Sequence, residues 1–250
     1  MNKILLFCGM ILGALQMSAQ FQVRDSSLFD PHVSISWGFQ VPGGDMADRF
    51  GNNGSVGIGF HVKTKKNWYY GVQGTYIYGN RVNEPGLMSN LYTSAGEILD
   101  NQGQVATIFI QQRGYCVTLD GGKLFDVLSP NPNSGILVYG GVGFMQHKIR
   151  IEHQEHEIRF LEDDYLKGYD RLTNGICLYQ FAGYSLMSNN RLVNFFVGVE
   201  SYQGFTQGRR DLNFDTGLTD NAKRMDVLLG IRGGWVLHLY RRAPDEYYFD

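Results

Sequence analysis

The chain has 250 residues, 43% of them hydrophobic and 18% charged, and its net charge of −2 excludes a general nucleic-acid binder, which would carry a basic excess. Glycine accounts for 32 residues, about 13% against roughly 7% in average usage, and aromatic residues for 14%, which excludes a disordered chain and, with only 6 prolines, a collagen. After residue 20, no run of 18 apolar residues predicts a membrane-spanning helix.

Residues 1–20 have the three parts of a secretory signal peptide. Lys3 supplies a positive charge, Ile4–Leu15 form an apolar run, and residues 18–20 form a small-residue cleavage site. The alternative is a buried strand or helix at the N-terminus. The pattern favours the signal peptide and therefore predicts an exported protein.

Two cysteines, Cys116 and Cys177, remain after the predicted signal peptide. Export would permit a disulfide between them. The strand pattern described next places them on the fourth and sixth strands, which are not neighbours. We therefore predict two free, buried thiols.

Hydrophobic residues recur with a period of two along the mature chain, which is the period of a β-strand with one apolar face. In the first such segment Val33, Ile35 and Trp37 alternate with polar residues or glycine. The pattern predicts eight strands: His32–Val41, Ser55–Lys63, Trp68–Gly79, Gln104–Leu119, Ile136–Met145, Gly175–Met187, Val193–Glu200 and Met225–Leu239. The fourth changes register near Gln111–Arg113, which we interpret as a bulge. The apolar face of the sixth is ambiguous.

The connections between the predicted strands alternate in length. Polar, charged segments at 42–53, 80–103, 152–174 and 204–223 are long, whereas the turns at 64–67 and 188–191 are short and 120–134 is a longer exception. This alternation is typical of bacterial outer-membrane barrels, whose strands need roughly 9–11 residues to cross a bilayer. Aromatic residues also stand where interface girdles belong, at Trp68, Tyr70, Tyr76 and Tyr78.

The predicted fold is all-β: an eight-stranded antiparallel transmembrane β-barrel with long outer loops and short periplasmic turns. Residues 21–240 would form the barrel and 241–250 a periplasmic tail. The alternative is a secreted soluble ligand-binding barrel, of the lipocalin or avidin kind, which places its apolar face inward. The other face of these strands is rich in polar and charged residues, which are costly to bury in a dry interior without partners. The membrane barrel is favoured.

Charged residues of several predicted strands share the inward face. Since eight strands leave an interior that side chains just fill, we expect these groups to close the lumen with ion pairs and hydrogen bonds. A proton or ion path is the alternative. The residues are His61, Lys63, Glu200, Asp226, Arg232 and His238.

Two loops carry residue types that bind metals. The loop at 152–174 holds Glu152, His153, Glu155, His156, Glu157, Asp163 and Asp164, donors that suit Zn²⁺ or Cu²⁺. Its spacing is not that of a closed site, and a solvated loop is favoured. Asp211-x-Asn213-x-Asp215 begins like a calcium loop, but Thr216 and Ala222 stand where an EF-hand needs glycine and glutamate.

Two short motifs indicate chemistry only weakly. His32 and Ser34 share one strand face, as a base and a nucleophile would, and resemble the His-x-Ser of outer-membrane lipid A deacylases. That family uses the pair near the outer leaflet, whereas here it would face inward at the periplasmic end. The glycine motifs Gly57-x-Gly59 and Gly140-Gly141-x-Gly143 lack the helix that phosphate binding needs. We therefore predict no catalytic, cofactor-binding or metal-binding residues.

The mature chain resembles the small eight-stranded outer-membrane barrels of Bacteroidota. The resemblance lies in the Ala19-Gln20 signal end, the amphipathic strands, and a last strand, Arg232-x-Gly234-x-x-Leu237-x-Leu239, that is similar to the signal read by the barrel-assembly machinery. A charged tail, Arg241–Asp250, departs from that pattern. Gly122–Ser134 and Lys167–Arg171 also look family-like, with no role attached.

Several barrels of this family are accessory subunits of envelope machines, including type IX secretion and barrel assembly. The resemblance therefore implies a non-enzymatic outer-membrane protein without cofactors. Its expected partners are outer-membrane lipids and lipopolysaccharide, the barrel-assembly machinery during insertion, and other envelope proteins, with no nucleic acid. An outer-membrane lipid-modifying hydrolase and a secreted soluble ligand-binding barrel are the alternatives.

Overall fold

The computed structural model describes residues 26–153, 158–162, 164–188 and 193–239. The predicted signal peptide and the predicted C-terminal tail lie outside these residues. None of the helices within the described ranges is long and apolar enough to cross a membrane.

The described residues form a closed barrel of eight antiparallel strands, each paired with the next and the last paired with the first. This confirms the predicted fold class. The strands are β1 Asp30–Gly44, β2 Asn53–Lys63, β3 Trp68–Gly79, β4 Ile108–Phe125, β5 Gly135–His153, β6 Thr173–Leu186, β7 Phe195–Gly208 and β8 Lys223–His238. One short helix, α1 (Asp45–Arg49), follows β1, and 3₁₀ turns lie at Arg159–Leu161 and Tyr165–Gly168.

Several strands are longer than the pattern predicts. Strand β5 continues from Met145 to His153, and β7 continues from Glu200 to Gly208. The loops at the far ends of these strands are correspondingly shorter. Strands β4 and β5, with 18 and 19 residues, exceed the roughly 9–11 residues that a bilayer requires, so they extend beyond one edge of any apolar layer around the barrel.

The predicted bulge in β4 is wrong. Its pairing with β5 runs without interruption from Ile108 opposite His153 to Phe125 opposite Ile136. The hydrophobic pattern changes because Gln111 and Arg113 remain on the outer face where the strand rises towards the loops, while Ile108 and Ile110 turn inward and pack against the core. The hydrophobic pattern therefore changes because the surroundings of this regular strand change along its length.

The structure shows which face of β6, ambiguous in the sequence, points into the lumen. Cys177, Tyr179 and Phe181 are buried in the lumen, and Ile176 and Leu178 are exposed on the outer face. Aromatic residues thus occur on both sides of the barrel wall. The buried tyrosine and phenylalanine side chains of the strands are Tyr69, Tyr139, Tyr179, Phe181, Phe196 and Tyr202.

The barrel has two distinct ends. The connections at 64–67 and 126–134 lie at one end, together with the start of β1, the end of β6, the start of β7 and the finish of β8. We call this the turn end. Helix α1, the connections at 80–107 and 209–222, and the described residues between β5 and β6 (158–162 and 164–172) lie at the opposite end, which we call the loop end. The predicted long connections after β3, β5 and β7 are thereby confirmed, whereas the predicted loop at 42–53 is shorter than expected, because β1 continues to Gly44 and β2 begins at Asn53.

Candidate functional site: an apolar belt, a charged lumen and packed loops

The outer surface of the barrel carries a belt of exposed apolar side chains. Leu119 and Ile176 are each 67% exposed, and every strand contributes to the belt. An exposed apolar surface that encircles a protein marks contact with a membrane or with other proteins. One exposed member from each strand in turn is Trp37, Ile58, Val72, Leu119, Val142, Ile176, Val199 and Ile231.

The four aromatic residues predicted for the rims are all exposed on the outer face. Trp68 and Tyr70 lie near the turn end, and Tyr76 and Tyr78 near the loop end. The belt also has a polar break at Gln180, whose amide exchanges two hydrogen bonds of 2.8 and 2.9 Å with the amide of Gln203. Each of these amides therefore has a partner within the belt.

The centre of the lumen is organised around Arg232, which is 3% exposed. Its Nη1 atom donates to Glu200 Oε2 at 3.1 Å. The same nitrogen lies 3.2 Å from the Tyr179 hydroxyl and 3.1 Å from the Tyr202 hydroxyl. Its Nε and Nη2 atoms donate to Ser36 Oγ at 3.0 and 2.6 Å. Glu200 and Arg232, which the sequence places on the inward face, therefore form an ion pair in the lumen.

Glycines make room for this ion pair. A Cβ atom on Gly57 would lie 2.2 Å from Arg232 Nη2, and one on Gly38 would lie 2.9 Å from Glu200 Oε1. A Cβ on Gly141 would likewise lie 2.2 Å from Asp120 Oδ1. The lumen-facing glycines of the two motifs therefore make room for side chains inside a narrow barrel.

A second buried pair lies closer to the loop end. His147 Nε2 is 2.8 Å from Asp226 Oδ2, and the Thr206 hydroxyl donates to the same oxygen. Phe50 stands edge-on to the His147 ring, with 5.5 Å between centroids. Asp226 thus faces the lumen, as predicted, and its charge has partners there.

A third polar cluster fills the turn end. Asp30 lies 3.1 Å from His32 Nδ1 and 2.8 Å from His238 Nδ1. Lys63 donates to the Leu28 carbonyl at 2.9 Å and to Asn133 Oδ1 at 2.8 Å. These contacts attach the segment before β1, and the 126–134 turn, to the barrel.

The remaining predicted lumen residue, His61, also has a charged neighbour. Its Nε2 atom is 3.4 Å from Asp120 Oδ2, and its ring stacks on that of Tyr69 with 4.7 Å between centroids. The charged side chains predicted to face inward therefore do so. They fill the lumen as expected for eight strands, whose interior is just wide enough for side chains.

The loop end is closed by a packed hydrophobic layer. Met46 of α1 and Phe50 just after it are buried, and they belong to one apolar cluster with residues of the long loops. Backbone hydrogen bonds join the loops to one another: Asn83 N donates to Arg49 O at 2.8 Å, and Phe214 N donates to Gly168 O at 3.0 Å. The other buried hydrophobic residues of these loops are Leu87, Met88, Ile98, Ile158, Leu161 and Tyr169. We call this layer the cap.

Ion pairs tie the cap together. Arg171, 5% exposed, donates from Nη2 to both carboxylate oxygens of Asp215 at 2.6 Å, and its Nε lies 3.4 Å from Glu84. Arg49 binds the same Glu84 at 2.8 Å, and Met88 N donates to Asp215 Oδ2 at 3.0 Å. One network thus connects α1 with three loops.

A second pair, Asp170 and Arg210, joins two of the same loops. Nε and Nη2 of Arg210 donate to the two Asp170 oxygens at 2.8 and 2.6 Å. The hydrogen bond to Asp170 raises the pKa of the Arg210 guanidinium above its ordinary value. The Lys167–Arg171 segment noted in the sequence therefore provides two adjacent anchors of the cap.

The candidate calcium motif has a structural role. Both oxygens of Asp215 are engaged by Arg171, so this carboxylate is committed to the cap. Asn213 forms a β-bridge with Leu218 within the same loop. The motif therefore stabilises a loop.

The candidate zinc loop is described in part. Glu152 pairs with Arg150, and His153 Nε2 lies 3.3 Å from the Leu161 carbonyl. Exposed Asp164 accepts a hydrogen bond from Lys167 at 2.5 Å, which lowers the pKa of its carboxyl. Glu155, His156, Glu157 and Asp163 lie outside the described residues.

The His32 and Ser34 side chains both face the lumen at the turn end, where the sequence places them. The two ring nitrogens of His32 lie against Asp30 and against the Tyr69 hydroxyl, at 3.1 and 2.7 Å. The ring is thus held from both sides by these two groups. Cys116 and Cys177 are free and buried, which confirms the expectation for both thiols.

Sequence reasoning missed Asp30 and Glu84, and it attached no role to Arg171. Asp30 precedes the clear alternation of β1, and the other two lie in segments without a period. Glu84 and Arg171 are 87 residues apart, so no local spacing signals their contact. Asp30 stands two residues before His32, a spacing that would have placed both on one strand face.

No protein-family model matches the chain, and no curated protein matches it. Among solved structures, Ail, the attachment invasion locus protein of Yersinia pestis, shares 11% identity over 84% of this chain and 99% of its own, with a TM-score of 0.41. The outer membrane protein OprG from Pseudomonas aeruginosa shares 12% identity over 87% and 100%, with a TM-score of 0.36. The N-terminal β-barrel domain of Pseudomonas aeruginosa OprF shares 10% identity over 84% and 100%, with a TM-score of 0.37. The fold assigned here rests on the strand order and pairing of this chain.

Proposed function

We propose that this chain is an integral outer-membrane barrel that acts, without enzymatic chemistry, as an accessory subunit of an envelope secretion or assembly complex. The observation that carries the membrane assignment is the apolar belt around a closed ring whose interior holds buried ion pairs. Only closed barrels and helices satisfy every backbone polar group within a bilayer. A soluble barrel would reverse the two faces.

The barrel has a defined orientation in this proposal. Outer-membrane barrels keep short turns on the periplasmic side and long loops outside. The turn end, with the start of β1 and the finish of β8, therefore faces the periplasm. The cap faces outward, and the lipids and lipopolysaccharide of the outer membrane surround the belt.

The filled lumen points to a role in recognition. Arg232, Glu200 and the surrounding hydroxyl groups occupy the central section, so the lumen offers no open channel through this part of the barrel. The surfaces left for function are then the two ends. This reasoning supports a binding role over transport.

The cap has the properties of a docking surface. Its ion pairs and buried apolar residues hold the loops in one arrangement, and a preorganised surface loses less conformational entropy on binding. Large apolar side chains are exposed on these ordered loops, a feature that marks protein contacts. They include Tyr92, Leu99, Val105, Phe160, Tyr165, Leu212, Phe214 and Leu218.

Membrane fractionation tests the first half of the proposal. We expect the mature chain in the outer-membrane fraction and resistant to carbonate washing, because the belt is embedded in lipid. Recovery in the soluble periplasm would overturn the membrane assignment and favour a secreted ligand-binding barrel.

Affinity purification in mild detergent tests the second half. We expect envelope proteins to co-purify in stoichiometric amounts with the wild-type chain and to be lost from Phe160→Ser and Leu218→Ser. Leu128→Ser is the matched control, since Leu128 is 85% exposed but lies in the 126–134 turn at the opposite end. Isolation of the wild-type chain alone, or retention of partners by both cap variants, would contradict the proposal.

A further inference from the structure

We propose that Asp30, His32 and His238 form a binding site for a divalent transition-metal ion such as Zn²⁺ at the turn end of the lumen. Within the part of the chain that the structure describes, this is the group of three His, Cys, Asp or Glu side chains whose ligand atoms all lie within 4.8 Å of one another. The site goes beyond the recognition role proposed above and does not depend on it.

The barrel register brings the three side chains together. His32 of β1 lies directly opposite His238 of β8, and Asp30 points to the same side of β1 because it is two residues away. The Asp30 carboxylate lies between the two imidazoles, with 3.1 Å from Oδ2 to His32 Nδ1 and 2.8 Å to His238 Nδ1. Both Nδ1 atoms therefore converge on one carboxylate.

This donor set suits a borderline transition metal. Zn²⁺ sites with an open position take three protein ligands from His, Asp, Glu and Cys, and water completes the shell. A cavity of about 20 Å³ is lined by Asp30, His32 and His238 and has room for one water molecule. Two imidazoles, one carboxylate and a water-sized space match that arrangement.

The second ring nitrogen of His32 is already oriented. His32 Nε2 lies 2.7 Å from the Tyr69 hydroxyl. In a metal-bound form, Nε2–H donates to this oxygen and the Nδ1 lone pair faces the ion, which is the outer-shell support that ligating histidines receive in metalloproteins. Tyr69 is itself held by stacking on His61, with 4.7 Å between ring centroids.

Lys63 is the charged group that opposes a cation here, since it also lines the cavity. Its ammonium is held by the Leu28 carbonyl at 2.9 Å and by Asn133 Oδ1 at 2.8 Å. The Asp30 carboxylate thus remains with the two histidines. The negative charge of Asp30 also balances one positive charge in the cluster.

Metal titration of the folded, detergent-solubilised mature chain tests the site. The protein carries no histidine tag and is first stripped with a chelator. We expect calorimetry to show one equivalent of Zn²⁺ bound, with affinity reduced about tenfold or more in Asp30→Asn and in His238→Gln. Folding of each variant is checked by the shift in gel mobility on heating.

Two controls locate the metal. His147→Gln alters a buried histidine–carboxylate pair elsewhere in the lumen, and His153→Gln alters the candidate loop site; both variants are expected to bind Zn²⁺ like the wild type. Absence of Zn²⁺ binding by the wild-type chain, or equal binding by folded Asp30→Asn and His238→Gln, would overturn the proposal. So would a loss of binding confined to His153→Gln.

A variant with a spectroscopic signature tests the ligand at residue 238 without relying on a change in affinity. His238→Cys keeps a ligand at this position but replaces nitrogen with sulfur. With Co²⁺ as the probe, we expect a thiolate-to-cobalt charge-transfer band in His238→Cys that is absent from the wild type. A folded variant that binds Co²⁺ without this band would show that residue 238 is not a ligand, and would overturn the site.

Discussion

Arg232 Nη1 and Glu200 Oε2 lie 3.1 Å apart in the middle of the lumen, and neither residue is more than 3% exposed. The pair links adjacent strands β7 and β8. Gln40 donates to the other Glu200 oxygen at 2.7 Å, so both oxygens of the carboxylate have a partner. A buried charge is tolerated only when it is paired and hydrogen-bonded in this way.

Loss of Arg232 should therefore be costly. We expect Arg232→Met to lower the free energy of unfolding by about 3–5 kcal/mol, because it leaves the Glu200 charge uncompensated. Urea-induced unfolding in lipid vesicles measures the change. The double variant Arg232→Met, Glu200→Leu should be more stable than Arg232→Met alone. Simple addition of two destabilising effects would show that the two charges are not coupled.

Replacement of Gly57 by alanine should destabilise the barrel. The added methyl of Gly57→Ala would meet Arg232 Nη2 at 2.2 Å, and we expect a loss of about 1–3 kcal/mol in unfolding free energy from overpacking. Gly74→Ala is the matched control, since a Cβ there meets nothing within 4 Å, and its effect should stay within about 0.5 kcal/mol. Equal stability of the two variants would mean that the lumen has space to spare.

A charge on the belt distinguishes a membrane protein from a soluble one. Ile58 is 61% exposed at the middle of β2. We expect Ile58→Arg to lower the free energy of unfolding in vesicles by about 2–4 kcal/mol. Leu128→Arg, in the 126–134 turn, should cost less than about 0.5 kcal/mol. An equally small effect at Ile58 would indicate that water, not lipid, covers the belt.

Arg171 should control the integrity of the cap. Arg171→Met deprives the buried Asp215 carboxylate of two hydrogen bonds, and we expect local opening to become easier by about 2 kcal/mol. When proteinase K cleaves the loops only after they open locally, cleavage would then be roughly 30-fold faster. Lys167→Met removes only an exposed ion pair with Asp164, and its loops should be cleaved at the wild-type rate. Similar rates for the two variants would contradict the role of Arg171.

The two thiols should be protected in the folded barrel. Cys116 and Cys177 are 1% and 0% exposed, so a maleimide reagent should leave both unmodified until the protein is denatured. Mass spectrometry before and after unfolding measures the labelling. Rapid modification of either thiol in the folded state would show that the lumen admits small molecules at that level.

The strand order was readable from the sequence because it depends on local alternation. Where one face of a strand meets an apolar surrounding, every second residue reports it, as Val33, Ile35 and Trp37 do in β1. The pattern failed where the surrounding changed along one strand. Gln111 and Arg113 keep the outward direction of Tyr115 but lie closer to the loop end, so their polarity imitates a change of register.

The predicted lumen face was correct, but most of the contacts between its residues were not deducible. The sequence assigned Glu200 and Arg232 to one face of adjacent strands, and their contact follows from that placement. In contrast, Arg232 meets Ser36 across 196 residues of sequence, and Arg171 meets Glu84 across 87. Closure of the ring and packing of the loops set these distances.

By itself, the sequence determined the glycine-rich, alternating wall: a two-residue period with one apolar face is a local property that survives in any arrangement of the strands. Only the tertiary structure decided which contacts the residues of the inner face make. Ring closure brings Asp30 and His32 of the first strand together with His238 of the last strand, and it places Gly57 against Arg232. Such contacts require a specific register between distant segments, and hydrophobic periodicity contains no information about which charge faces which.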